Sequence, residues 1–540
     1  MEKNLSIFDS NYALLMERFP KLALLLSCSN TQTLVEEPLL PIQLEGIDLL
    51  YVYGIGTGEI YFLVKSWLHE KPKRRLIFLS EDFSHFLQMA SAEEILSDPQ
   101  VVLDLPSEIE ALAEKFPCSR IEVICLPSLK TKKFHSLRLQ LLRKTTLSHA
   151  LHIDRLHGYQ PFLNFIQNLK QLPSSFYANR LKGRFAQMPA VVCGAGPSLQ
   201  KAIPHLKKLE NKALLIAGGS TLAALSSQGI SPHFGLAIDP NLEEFRRLKN
   251  SFAFETPLLY STRVFPQVFQ TCNGPFGYMR SGIGGLLELW IEEELGLQDP
   301  LLGEHLSAES ISVTTICLAW AQFLGCNPIV LSGVDLAYTD KKHYASGVDR
   351  GEDIEFHNNL KKAAADKLMK RKDRQGKSIF TAVRWLMESA SISHFAQMHK
   401  EVTFINATEG GIEIKKIDYE PLETIEKRWE EQNLRGKVIE EILQAKMPLE
   451  SETIIKNKME ELSLSLDRLI AHLEILSAKK SPLDELELEE EIAYSYLFYD
   501  IHALLEKEID AALTDSSMRS LEKWRLFLQL AKKYKLVLSA

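Results

Sequence analysis

Residues 189–240 read PAVVCGAGPSLQKAIPHLKKLENKALLIAGGSTLAALSSQGISPHFGLAIDP. Three short apolar runs, AVVCGAG, ALLIAGGS and FGLAIDP, each end in glycine or polar residues, with amphipathic helical segments between them. Strands alternating with helices of this length build βαβ units on a parallel sheet. The first run enters Gly194, Gly196, Pro197 and Ser198, and a helix follows at once. That arrangement predicts free backbone N–H groups at a helix N-terminus, where a phosphate is stabilised. The third run ends in Asp239, at the edge where ligands of open α/β sheets sit. The expectation is an α/β fold carrying a nucleotide site.

Towards the N-terminus, LLYVYGIGTGEIYFLVKSWL carries a strand at Leu49–Tyr53 into Gly54, Gly56 and Gly58. RRLIFLSED, VVLDLP and IEVICLP supply further strands of a Rossmann-like domain, with Glu81 where a ribose-binding carboxylate would stand. A lone glycine pattern is weak, and the preferred reading is a tight strand-to-helix turn without a ligand. Residues 130–180 read as helices. Their His149, His152 and His157 do not share one helical face, so no metal is assigned to them. The expected domains are residues 1–145 Rossmann-like, 146–184 a helical linker, 185–415 central and catalytic, and 416–540 helical.

Beyond the opening stretch, TPLLYSTRV is a strand, and SAESISVTTICLAWAQFLGCNPIVLSGVDLAYTDKKHYASG is the second informative segment. Ser310, Ser312, Thr314 and Thr315 precede an apolar helix. Such hydroxyls either bind phosphate or cap the helix. Asp335 closes a strand of the same sheet as Asp239, so the two carboxylates face one crevice. They would hold a divalent cation, bind ribose or cap loops. His343 and Tyr344 follow in the next loop, and histidine is the natural general base near neutral pH. Lys361, Lys362, Lys367, Lys370, Arg371, Lys372, Arg374 and Lys377 form a charged run, read as a solvated helix and turn in preference to a basic lid. VTFINATEGGIEI adds a last strand. From Tyr419 onward Glu, Lys and Leu recur at helical spacing, as in a bundle or lever.

At 540 residues the chain exceeds one core. Its net charge of −8 gives no footprint for nucleic acid or an anionic membrane surface. No stretch approaches the ~20 apolar residues of a membrane helix, and LALLLS lacks the cationic lead of a signal peptide. Seven scattered cysteines without a CxxC pair fit reduced thiols and a cytoplasmic location.

GAGPSL, GISPHFGLAIDP, SVTTICLAWAQFLGCNPIVLSGVDLAYTD and INATEGG occur in the order that resembles the motility accessory factor family, bacterial flagellin glycosyltransferases. The resemblance is strongest over residues 185–415. It implies a sialyltransferase-like central domain that moves a nonulosonic acid from a CMP-activated donor to Ser or Thr of a protein acceptor such as flagellin. Gly194, Gly196, Pro197, Ser198 and Asp239 would then lie against the nucleotide. Ser312 and Thr314 would approach the phosphate, and Asp335 and Tyr338 would line the cleft. His343 would be the base of an inverting displacement, with Tyr338 or Tyr344 stabilising the departing phosphate. No cofactor or metal need be required. The same core resembles the 6-hydroxymethylpterin diphosphokinases, which implies ATP and magnesium, with Asp239 and Asp335 as metal ligands. A non-catalytic nucleotide-binding scaffold is the third reading.

Overall fold

The computed structural model describes residues 6–25, 42–156, 158–306, 312–348, 368–478, 487–499, 501–502 and 516–539. They fall into two compact units. The first holds the described residues of Met1–His152, Ile354–Met369 and Thr381–Met387; the second holds those of Ile153–Asp353, Lys370–Phe380 and Glu388–Ala540.

In the first unit, β1 (Leu49–Tyr53), β2 (Arg75–Leu79), β3 (Val101–Asp104) and β4 (Ile121–Cys125) form a parallel sheet in the order β3-β2-β1-β4. All five residues of LLYVY are buried, as a strand covered on both faces requires. Leu50 and Val52 pack with Ile60, Val64 and Leu68 of the helix Glu59–Glu70. Tyr51 and Tyr53 share the opposite core with Leu137 and Leu141. The expected Rossmann-like arrangement is present. Its glycine loop is not an open phosphate cradle: Leu126 and Leu129 lie over Gly54, and Ile95 and Phe86 over Gly58. Glu81 pairs with Lys133 at 2.5 Å. These glycines serve the turn, as preferred from the sequence.

The second unit is built on nine strands. They are β5 (Phe176–Tyr177), β6 (Ala190–Cys193), β7 (Leu214–Gly218), β8 (Phe234–Ala237), β9 (Leu258–Tyr260), β10 (Phe276–Tyr278), β11 (Ile329–Ser332), β14 (Phe404–Asn406) and β15 (Asp418–Tyr419). A separate two-stranded ribbon pairs β12 (Met369–Lys372) with β13 (Ser378–Thr381). The large sheet runs β15-β14-β11-β6-β7-β8-β9-β10-β5, every neighbouring pair parallel. From β6 the chain steps outward to β10, then returns to the other side of β6 with β11. The topological reversal therefore lies between β6 and β11, where open α/β sheets place their ligands.

Alternation along each strand divides the core. Ala190, Val192, Leu214 and Ile216 pack on one face with Ile316, Trp320 and Phe323 of the helix Val313–Phe323. Val191, Cys193, Leu215 and Ala217 belong to the opposite core. That second core also contains Leu462, Leu466 and Leu469 of the helix Ser451–Ala478 and Trp524, Phe527 and Tyr534 of the helix Ser516–Leu538. The boundary expected at residue 416 is thus absent: these helices share a core with the sheet. Tyr494, Leu497 and Phe498 are residues of this core.

β5 and β10 are not legible in the sequence. Strands of two and three residues carry too little periodicity to register. In the charged run, Lys370, Arg371, Lys372 and Lys377 lie on or beside the β12–β13 ribbon, not on a helix. Lys361, Lys362 and Lys367 fall outside the described residues.

Candidate functional site

At the reversal, two loops close on each other. Gly194 and Gly196 N–H donate to the Ser332 and Gly333 carbonyls, both at 2.8 Å. Ser198 donates its N–H at 3.2 Å and its hydroxyl at 2.5 Å to the Asp335 carboxylate. Thr339 adds a hydroxyl bond to the same carboxylate at 2.6 Å. Asp335 is 1% exposed. Burial raises its pKa, while the bonds from Ser198 and Thr339 oppose that rise. Gly196 and Gly411 must be glycine here, since a Cβ on either would overlap Asp335, and Gly411 has φ +76°.

These bonds correct the expectation for GAGPS. The turn's N–H groups at Gly194, Gly196 and Ser198 are consumed by the neighbouring loop, and Pro197 has none to give. Asp335 fastens the two loops and presents no carboxylate to a ribose or a cation. Ser312 is corrected too. Its hydroxyl accepts from Thr315 N–H at 3.2 Å and donates to Glu388 at 2.5 Å, the work of a helix cap. Ser312→Ala should lower stability by about 1 kcal/mol, read from the urea midpoint at unchanged slope. Ser310 lies outside the described residues.

Among the described residues, backbone donors left without acceptors lie at the carboxyl end of β7. Val313 packs against Gly218, so the N-terminus of the helix Val313–Phe323 meets this edge. Neither Val313 nor Thr314 N–H has an acceptor among the described residues. Beside it stands a charged group that the sequence reading passed over. Arg247 donates to Asp239 at 2.5 Å and to Glu244 at 3.2 Å. Burial alone would lower the Arg247 pKa, but Asp239 and Glu244 hold it above its ordinary value. Burial, then the Asp239 charge, pushes Glu244 up to about 8. Arg247 Nε and Glu244 Oε1 are both buried without a hydrogen-bond partner among the described residues. Buried polar atoms normally find partners, so this pair marks a place suited to a ligand. Only helix-face spacing of Glu243, Glu244, Arg246 and Arg247 hinted at it, a pattern common to solvated helices.

The third wall is the loop after β11. Tyr338 N–H bonds the Phe380 carbonyl at 2.7 Å, and Ala345 N–H bonds the Ala195 carbonyl at 2.8 Å. Between these anchors, His343 stacks on Tyr344 with centroids 3.9 Å apart and lies 5.1 Å from the Tyr338 ring. Tyr338 is 1% exposed and His343 8%, so the first is a packing residue and the second is largely enclosed. Tyr344 lies within electrostatic reach of Arg247. Asn164 and Asn168, in the stretch read as linker, hold the loops after β8 and β9 through Pro240, Thr262, Arg263 and Val264 carbonyls.

The structure therefore brings Gly194–Ser198, Asp335 and the His343 loop together, and gathers Asp239 with Arg247 and Glu244. Asp239 and Asp335 do not form a cation pair: one is occupied by Arg247, the other by Ser198 and Thr339. No cluster of three or more metal-ligating side chains occurs among the described residues. Among them, no helix is long and apolar enough to cross a membrane.

Residues 163–341 match the family model described as 6-hydroxymethylpterin diphosphokinase MptE-like. Over that segment the chain is similar to the MptE-like family. That bears out the family resemblance drawn from the motifs, which named this shared core. The solved MAf glycosyltransferase from Magnetospirillum magneticum AMB-1 aligns with 100% of this chain and 83% of its own, at 14% identity and TM-score 0.49. No curated protein matches the chain. The matched segment contains the loops after β6, β7, β8 and β9 and the start of the loop after β11, while His343, Tyr344 and the loop after β14 lie beyond its end.

Proposed function

We propose that the second unit is a glycosyltransferase that binds a CMP-activated nonulosonic acid and passes the sugar to Ser or Thr of a protein such as flagellin. The observation that carries this reading is Arg247, whose buried Nε has no partner among the described residues, close to a helix N-terminus whose Val313 and Thr314 N–H groups have none among them either. One guanidinium and one helix dipole suit a single phosphodiester. Asp239, already neutralised by Arg247, is left to orient that guanidinium. The family resemblance in the sequence adds the donor and acceptor classes.

In this reading the donor phosphate lies between Arg247 and the N–H groups of Val313 and Thr314. His343, its ring plane fixed by Tyr344, takes the acceptor hydroxyl proton. The acceptor oxygen attacks the anomeric carbon, the bond to phosphate breaks, and CMP leaves with inversion. Tyr344, within electrostatic reach of Arg247, would help to stabilise the departing charge.

The family description favours a second reading, an ATP–magnesium diphosphokinase. Thermal-shift measurements separate the two, because a ligand of the folded state raises the midpoint. CMP should stabilise the protein and ATP–magnesium should not. Arg247→Ala should weaken CMP binding at least tenfold. His343→Ala should leave it unchanged and abolish sugar transfer. Stabilisation by ATP–magnesium alone would replace this reading with the diphosphokinase, and a response to neither would leave a scaffold.

A further inference from the structure

The carboxyl ends of β9 and β10, three strands and more from β6, hold chemistry that the transfer reaction leaves unused. Glu288 and Glu292 lie at i and i+4 on the helix Leu286–Glu294 and converge on Tyr278. The Tyr278 hydroxyl is 3.1 Å from Glu288 Oε1 and 2.5 Å from Glu292 Oε1. A phenol has one proton to donate, so it serves only one carboxylate at a time. The other contact is favourable when the trio holds a further proton. Burial, the largest cause in each case, raises both carboxyls, Glu292 to about 7. Arg280 Nε secures the far end of Glu292 at 2.9 Å, and Thr262 N–H secures Glu288 at 3.1 Å.

Glu288 also lines a cavity of about 200 Å³. Phe162, Phe165, Tyr496 and Tyr534 give it aromatic walls, and Leu286 and Gly285 stand on its lining. Arg263 and Asp154, also on the lining, neutralise each other at 2.5 Å. The space is smaller than a drug-sized site. It combines apolar faces with one buried carboxyl that can hydrogen-bond a hydroxyl.

We propose that this cavity is a second ligand site, taking an uncharged, hydroxyl-bearing ring the size of one sugar residue. Glu288 would hydrogen-bond the hydroxyls, and the aromatic side chains would cover the apolar face of the ring. An anion would meet the Asp154 and Glu288 carboxyls. A cation would meet the Arg263 guanidinium. The proposal does not depend on the identity of the donor at the reversal.

Saturation-transfer NMR on the full chain tests it, with methyl glucoside and methyl N-acetylglucosaminide as neutral probes and tetramethylammonium as the cationic one. A neutral probe should show transfer, and Leu286→Trp, which fills the cavity, should weaken its binding at least tenfold. Gly285→Phe blocks the same space and serves if the first variant fails to fold, because a Cβ at Gly285 meets nothing within 4 Å. Transfer to tetramethylammonium alone would replace the proposal with an aromatic cation cage. No transfer to either neutral probe, or binding unchanged in the blocked variant, would overturn it.

Discussion

Replacing Asp335 by alanine should cost about 3–5 kcal/mol of stability and remove the stabilisation by CMP. The substitution strands Ser198 N–H and the hydroxyls of Ser198 and Thr339 in a buried place. Each buried group left without its partner costs ~1–3 kcal/mol. The loops after β6 and β11 would also lose the carboxylate between them. Asp335→Asn is the informative control. It keeps the shape and one accepting oxygen, so the loss should fall to about 1–2 kcal/mol. Urea unfolding of both variants decides the matter. An alanine variant within 1 kcal/mol of the parent would show that Asp335 does not fasten these loops.

The second large effect is a fall in stability as pH rises from about 5 to 8. Glu292 sits at about 7 and Glu244 at about 8 in the folded protein, both above an ordinary value of 4.5. A raised carboxyl means that the folded state binds its proton more tightly than the unfolded state. The stability this confers is fully present below pH 4.5 and is lost as pH climbs through the folded value. For Glu292 the loss is on the order of 3 kcal/mol. His233 bends the curve the other way. Burial lowers it to about 3, so its contribution is lost as pH falls below 6.5. Glu292→Gln should make the alkaline limb shallower, leaving the part that Glu244 supplies, and keep the acid limb in place. Denaturation midpoints between pH 4 and 9 measure both. An unchanged alkaline slope in the variant would remove Glu292 from this account.

The sheet was legible because its long strands are continuous apolar runs stopped by glycine, as in AVVC–GAG and IVLS–G. The reversal was legible too, since β6 and β11 carried the two most distinctive motifs. What those motifs do was less accessible. Gly194–Ser198 reads as a phosphate turn in one dimension, yet its donors face the loop around Asp335, distant in sequence. A motif names the shape of a turn, and only the neighbouring strand decides where its hydrogen bonds go. Arg247 and Glu288 were missed for a related reason. Each sits on a charged helix face that looks solvated, and each is buried by segments brought beside it through the topology. The C-terminal helices looked separate because composition changes near Tyr419, while the leucines that join them to the sheet follow an ordinary helical repeat.

β5 has a consequence for the order in which the second unit assembles. Phe176–Tyr177 precedes β6 in the chain but sits beyond β10 at the far edge. Its other side is met later still: Tyr177 N–H bonds the Ala445 carbonyl at 2.6 Å, and Phe176 bridges to Lys446. During synthesis this strand must wait for two distant segments, the second roughly 270 residues downstream, and such long-range closure is slow. A ribosome-bound chain ending before Ala445 would present an unfinished edge, where strands of other chains can pair. Aggregation of truncated forms should rise or fall at that residue more sharply than at any change in composition.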